Sequence, residues 1–263
     1  MVGMDYDDAT AERLEAVYLG ADVVNQRKET RRCLGLRPGD SVIDVGSGPG
    51  FLAQEMAEEV GSGGRVCGVD ISSDMIRRAD ARNQKSWVSY HEADATALPF
   101  DDESFDVMVS TQVAEYVPDV MAFCRETFRV MKAGGRGLLV ATDWGTVAWH
   151  SDVPERMARM LSAFRPHCAH SELPRTFAPI LRAAGFAVDA VTVYPIVNID
   201  WSDENYSKNS AAFIAAYVRA QGKVAEAEIT AWEQEFPDLA ADGRYYFSTS
   251  RTLFHVTKPA APA

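Results

Sequence analysis

The strongest constraint on this chain is an alternation of short apolar strands and helix-length stretches over residues 41–142. It opens with the turn Val45-Gly46-Ser47-Gly48-Pro49-Gly50-Phe51. Val42–Val45, Arg65–Asp70, Trp87–His91, Phe105–Ser110 and Gly137–Thr142 read as strands. Between them, Gly50–Val60 reads as a helix ended by "GSGG". A second helix, capped by Ser72 or Ser73, runs to about Asn83, and a third covers Asp119–Met131, with "KAGG" as its stop. Strand and helix in strict alternation require a parallel sheet covered on both faces. With right-handed crossovers, that is an α/β, Rossmann-like, doubly wound sheet.

The flanks depart from this rhythm. Residues 7–34 read as two helices broken near Gly20, with Leu14, Val17 and Tyr18 on one face of the first. Residues 1–34 then form an N-terminal helical lid on a domain spanning 35–263. Two insertions interrupt that domain, at about 143–172 and 198–243. The first holds a loop and one short helix with Pro154 in its first turn. A helix at Pro174–Ala184 and a strand at Ala187–Tyr194 follow. The second insertion carries helices near Asn205–Gln221 and Val224–Glu235. On the first of these Phe213, Ile214, Tyr217 and Val218 make an apolar stripe, read as core packing rather than as a lid face. Tyr245–Val256 alternates as the closing strand.

Composition removes several classes of function. A formal net charge of −12 argues against a nucleic-acid partner held through phosphates. No apolar run is long enough for a membrane span. The acidic start "MVGMDYDDAT" does not read as a secretory signal. Cys33, Cys67, Cys124 and Cys168 are scattered, so neither a disulfide framework nor a zinc site is expected, and a cytoplasmic location fits. Only Cys168, between His167 and His170, has potential ligand neighbours, and "HCAH" alone does not make a metal site.

The turn after the first strand is where such a sheet binds ligands. It is not a dinucleotide fingerprint: Phe51 stands where the third glycine of G-x-G-x-x-G belongs. Asp44, two residues before Gly46, would repel a pyrophosphate and favour a cation. Gly46 and Gly48 let the backbone approach a ligand closely. Asp70, 24 residues after Gly46, suits a ribose diol. Asp94 and the Ala95 amide suit the edge of an adenine. Three acids at successive strand ends fit a cationic, phosphate-free nucleoside such as S-adenosylmethionine.

The runs "VIDVGSGPG", "VCGVDIS", "EADATALPF", "FDVMVSTQV" and "RVMKAGGRGLLV", in that order over roughly residues 36–145, resemble the class I S-adenosylmethionine-dependent methyltransferases, in particular the UbiE-like small-molecule branch. The resemblance implies a seven-stranded sheet with its last strand antiparallel. It implies S-adenosylmethionine as methyl donor, S-adenosylhomocysteine as product, and no metal. Gly46, Ser47 and Gly48 would line the methionine end with Asp44 behind them. Asp70 would hold the ribose, Ile71 and Met75 would lie against the adenine, and Asp94 and Ala95 would read its edge. Thr111 and Gln112 would lie under the sulfonium, and Tyr18 would close over the donor. Where the family often has histidine after the fourth strand, this chain has "VAEYVPD" with Tyr116, counted among the acceptor-site residues. The cysteine set of the arsenite-methylating relatives is not evident.

Methyl transfer is an in-line displacement that needs orientation and exclusion of water. The acceptor is expected to be a small, partly apolar metabolite methylated at oxygen, carbon or nitrogen. Asp143 and His150, after the fifth strand, are expected near the methyl group, with His150 as base or orienting group. Trp144 and Trp149 are expected to wall the acceptor. The alternatives are an NAD-dependent oxidoreductase and a non-catalytic S-adenosylmethionine-binding protein. A homodimer is left open.

Overall fold

The computed structural model describes residues 17–260. Leu14 and most of the first N-terminal helix therefore lie outside the described residues. Helix α1, Ala21–Leu34, starts at the extended residue Gly20 and ends at Gly35 in the left-handed conformation. Then come β1 (Ser41–Val45), α2 (Phe51–Val60), β2 (Arg65–Asp70), α3 (Ser73–Arg82), β3 (Val88–Glu92), β4 (Phe105–Thr111), α4 (Val120–Val130) and β5 (Met131–Thr142). The remaining elements are β6 (Ala148–Trp149), α5 (Pro154–Phe164), α6 (Pro174–Ala183), β7 (Ala187–Asn198), α7 (Tyr206–Gln221), α8 (Glu226–Ala241) and β8 (Phe247–Thr257).

Strands β3, β2, β1, β4 and β5 lie side by side and parallel. The last strand, β8, is antiparallel to β5 on one edge and to β7 on the other. The expected seven strands are joined by an eighth, the two-residue β6, which pairs Ala148 with Ser248 and Trp149 with Phe247.

Both sheet faces are covered, which is why the inner strands are apolar along their length. Ile43, Val45, Phe105 and Met108 pack with Phe123 of α4 and with Phe177 and Leu181 of α6. Val42, Val66, Val107 and Val109 pack with Met56 and Val60 of α2 and Ile76 of α3. A third cluster packs at the β6, β7 and β8 end of the sheet, on Trp149, Ile196 and Phe247. Trp149, Met160 and Phe164 meet Ile214 and Val218 of α7 and Trp232 and Phe236 of α8. The two expected insertions thus share one core and form a single helical cap. Glu235 of α8 fastens it by accepting hydrogen bonds from Ser151 Oγ (2.7 Å), the Asp152 amide (2.6 Å) and Arg156 (2.9 Å). Helix α1 joins the cap through Asp22, which accepts from Asn198 Nδ2 (2.8 Å) and the Tyr206 amide (2.9 Å).

Several boundaries differ from expectation, each for a non-local reason. "KAGG" is not a stop after α4 but part of β5: the Gly134 amide donates to Lys258 O (2.8 Å) and the Lys258 amide to Gly135 O (2.9 Å). Strand β7 runs on through Pro195 to Asn198 because β8 supplies partners throughout. Helix α8 continues through Pro237 to Ala241, with Phe236 and Leu239 on either side buried in the cap core. Packing there outweighs the proline's lost hydrogen bond.

Candidate functional site

The turn after β1 is anchored to β2: the amides of Gly46 and Ser47 both donate to Val69 O, at 2.7 and 2.9 Å. Gly46 (φ +78°), Gly48 (+52°) and Gly50 (+82°) all hold the left-handed backbone that favours glycine. The space at all three is already spoken for by protein, at Gly50 by the Tyr90 hydroxyl, 2.5 Å from where a Cβ would stand. A Cβ on Gly46 would stand 2.0 Å from Val113 Cγ2, and one on Gly48 would stand 3.2 Å from the Tyr18 hydroxyl.

The three strand-end acids have different surroundings. Asp44 is 1 % exposed, and neither carboxylate oxygen has a hydrogen-bond partner. Burial, then the charge of Asp70, pushes its carboxyl up to about 7. Asp70 accepts from the Gly48 amide and the Ser72 amide, both at 2.9 Å. Burial still raises it, against those hydrogen bonds. Asp94 accepts from the amide and hydroxyl of Thr96, both at 2.7 Å, and these bonds hold it below the usual carboxylate range. Tyr18 lies over the turn with its ring 5.9 Å from that of Phe51. Burial, aided by Asp70 and Asp44, pushes its phenol up to about 12. Gln112, just past β4, is held at φ +54°, with its amide donating to Val140 O (2.8 Å). A non-glycine residue in that region marks stored backbone strain, of a kind found at binding sites.

One cavity of about 830 Å³ runs from this turn to the cap. Tyr18, Asp44, Gly46, Ser47, Gly48, Asp70, Ile71, Met75, Asp94, Ala95, Thr111 and Gln112 all line it, as do Tyr116 and Trp144. The other expected acceptor residues do not. Trp149 is turned into the cap core by its pairing with β8. It stacks on Phe236 at 4.5 Å and donates to the Tyr245 hydroxyl (3.1 Å). That same pairing sends His150 outward, where its ring is 3.9 Å from Asp152 and substantially exposed. Asp143 caps the turn at Trp144–Thr146 by accepting from the Gly145 amide (2.9 Å), and pairs with Arg175 (2.7 Å). The expected placement of Asp143 and His150 near the methyl group, and of Trp149 in the acceptor wall, is therefore corrected: His150 serves the surface, Asp143 a turn and Trp149 the cap core. His167 is buried with Nδ1 2.9 Å from Phe164 O, and His170 lies 3.1 Å from Pro118 O; neither lines the cavity.

Residues that sequence reasoning passed over complete the lining. Helix α7 divides its apolar stripe: Ile214 and Val218 face the cap core, while Phe213 and Tyr217 face the cavity. Gln26 and Arg27 enter from α1, and Arg251 from β8. Gln26 bridges the two sides, donating to Gln112 Oε1 (2.9 Å) and accepting from Arg251 Nε (3.1 Å). Arg251 was the one legible hint, a lone cation inside the alternating strand "FSTSRTLFHV".

Residues 43–139 match the family model described as a methyltransferase domain. An arsenite methyltransferase of Halobacterium salinarum is 34 % identical over 138 residues, 51 % of this chain and 34 % of that protein. A demethylmenaquinone methyltransferase of Lactococcus lactis is 33 % identical over 124 residues, 46 % of this chain and 49 % of that protein. The chain thus spans half or less of the length of these curated relatives. The solved structure of Haemonchus contortus phosphoethanolamine N-methyltransferase 2 with S-adenosyl-L-methionine matches with a TM-score of 0.62 at 20 % identity, covering 97 % of this chain and 58 % of that one. At that identity the likeness is one of fold.

Proposed function

Residues 43–139 belong to the class I, UbiE-like methyltransferase family, and from that premise we propose that the chain transfers a methyl group from S-adenosylmethionine to a small, partly apolar metabolite. The observation that carries this reading is the convergence of Asp44, Asp70 and Asp94 with the glycine turn on one cavity. The donor's chemistry fits the residues present. Two buried carboxylate oxygens of Asp44 and the buried Ser47 hydroxyl lack protein partners, and an α-ammonium would relieve that cost. Asp70 retains acceptor capacity for a ribose diol, and Asp94 and Ala95 for an adenine edge.

When bound, S-adenosylmethionine supplies a methyl group activated by a sulfonium. The protein's part is to orient and to exclude water. Tyr18 and Phe51 cover the turn. Tyr116, Trp144, Phe213 and Tyr217 give the far end of the cavity an aromatic wall suited to an apolar acceptor. Among the described residues this lining has no histidine. No helix among the described residues is long and apolar enough to cross a membrane.

Calorimetry with S-adenosylmethionine, S-adenosylhomocysteine and NAD, followed by assay of S-adenosylhomocysteine release over a metabolite panel, tests the proposal. Binding of both sulfur nucleosides and acceptor-dependent turnover are expected. Binding of NAD instead would sink it, and tight donor binding without any turnover would leave a binding protein.

A further inference from the structure

We propose that Arg251 is an acceptor-anchoring residue, and that the acceptor is an aromatic molecule bearing an anionic oxygen. This deepens the methyltransferase reading and rests on it. Arg251 is 3 % exposed, yet it lines the cavity. Among the described residues its hydrogen bonds go to neutral acceptors, Gln26 Oε1 at 3.1 Å and Thr142 Oγ1. Its guanidinium carbon lies 4.7 Å from the Tyr206 ring centroid. Among the described residues, no carboxylate forms an ion pair with it and nothing accepts from Nη2. The nearby Glu115 spends one oxygen on the Thr142 amide (3.1 Å) and leaves the other buried without a partner. The charge of Glu115 acts on Arg251 through space, but a buried guanidinium with no hydrogen-bonded anion is still costly. The cavity gives it access to a ligand.

Its position says which ligand. Arg251 is opposite Thr142 in the β5–β8 ladder, at the end of β5, and so on the side away from Asp70 and Asp94. Gln26 and Gln112 stand between it and the glycine turn. Trp144 follows Thr142 by two residues, and its indole joins Tyr116, Phe213 and Tyr217 in the lining. A planar ring against that wall would carry its acidic oxygen to Arg251, whose fork of donors suits a carboxylate or a phenolate. A protein base would then be unnecessary, because the cation favours the ionised oxygen.

The test uses the full chain saturated with S-adenosylhomocysteine, which blocks turnover. Its probes are para-nitrophenol, para-nitrobenzoate and the neutral methyl para-nitrobenzoate. At least one anionic probe is expected to bind wild type better than the ester does. Arg251→Gln should weaken that probe by about tenfold to a hundredfold, Arg251→Lys by less, and the ester should change by less than about twofold on the same scale. Visible absorption of bound para-nitrophenol on wild type, which needs no variant, should show a larger phenolate fraction than in buffer. Preference for the phenol would mark a reacting oxygen, and preference for the benzoate a carboxylate anchor. Equal binding of ester and anions to wild type would overturn the proposal. So would loss of S-adenosylhomocysteine affinity in a folded Arg251→Gln protein, which would assign Arg251 to the donor's own carboxylate. Failure of wild type to bind S-adenosylhomocysteine at all would instead remove the methyltransferase reading.

Discussion

Donor binding should be coupled to ionisation of Asp44. The free protein holds this carboxyl at about 7 because it is buried, faces the charge of Asp70 and has no donor of its own. A ligand ammonium binds the ionised form, so below that value binding must expel a proton. At pH 6 only about one tenth of Asp44 is ionised, so binding S-adenosylhomocysteine should release about 0.9 proton and be roughly tenfold weaker than at the optimum. The ligand's own ammonium must stay protonated, so affinity should fall again at alkaline pH. Calorimetry at pH 6 in buffers of different ionisation enthalpy measures the proton directly. Asp44→Asn should abolish the release and weaken binding by about 2–5 kcal/mol, the range for truncating one side of a buried charge pair. Stability of the free protein carries the opposite signature. A carboxyl raised on folding costs nothing below its unfolded value near 4, and its penalty grows as pH rises towards about 7. That penalty is at most about 4 kcal/mol for a shift of this order. Free wild type should therefore lose Tm relative to Asp44→Asn between pH 5 and 8, by these same linkage rules. A heat of binding independent of buffer at pH 6, or an unchanged pH profile in Asp44→Asn, would refute the reasoning.

Three further substitutions probe other parts of the structure. Gly46→Ala combines a φ of +78° with a contact of 2.0 Å to Val113, and should cost about 3 kcal/mol or more in urea unfolding. Adding Val113→Ala should recover the steric share but not the roughly 1–2 kcal/mol of backbone strain. His150→Ala should leave kcat/KM within about twofold, since exposed substitutions away from a site change little. Trp232→Ala, at the fully buried centre of the cap, should destabilise by about 3–5 kcal/mol in the same unfolding assay.

The glycine-turn half of the cavity was legible because local chain geometry builds it. Each strand from β1 to β4 carries its own apolar pattern. A residue within two positions of its carboxyl end reaches the ligand face whatever the rest of the chain does. Asp44, Asp70, Asp94 and Gln112 follow from that rule alone. Their electrostatics do not: that Asp44 lacks a partner while Asp94 has Thr96 depends on loop conformation.

The half under the cap is decided by pairings distant in sequence. Trp149 and His150 follow β5 closely enough to suggest a place in the cavity, but the partner that orients them is Phe247. A strand residue's facing reverses with a register slip of one, so no local reading of "VAWHS" could settle which of the two points inward. Phe213 and Tyr217 show the same limit on a helix. Their spacing marks an apolar stripe, yet α7 is wedged between the cap core and the cavity, and only the neighbours divide that stripe. Arg251 is the reverse case. A cation amid buried β8 residues violates the strand's pattern, and such violations concentrate where function overrides packing. Read by that criterion, the lone arginine in "TSRTLF" was a stronger pointer to the cavity than the histidine after β5.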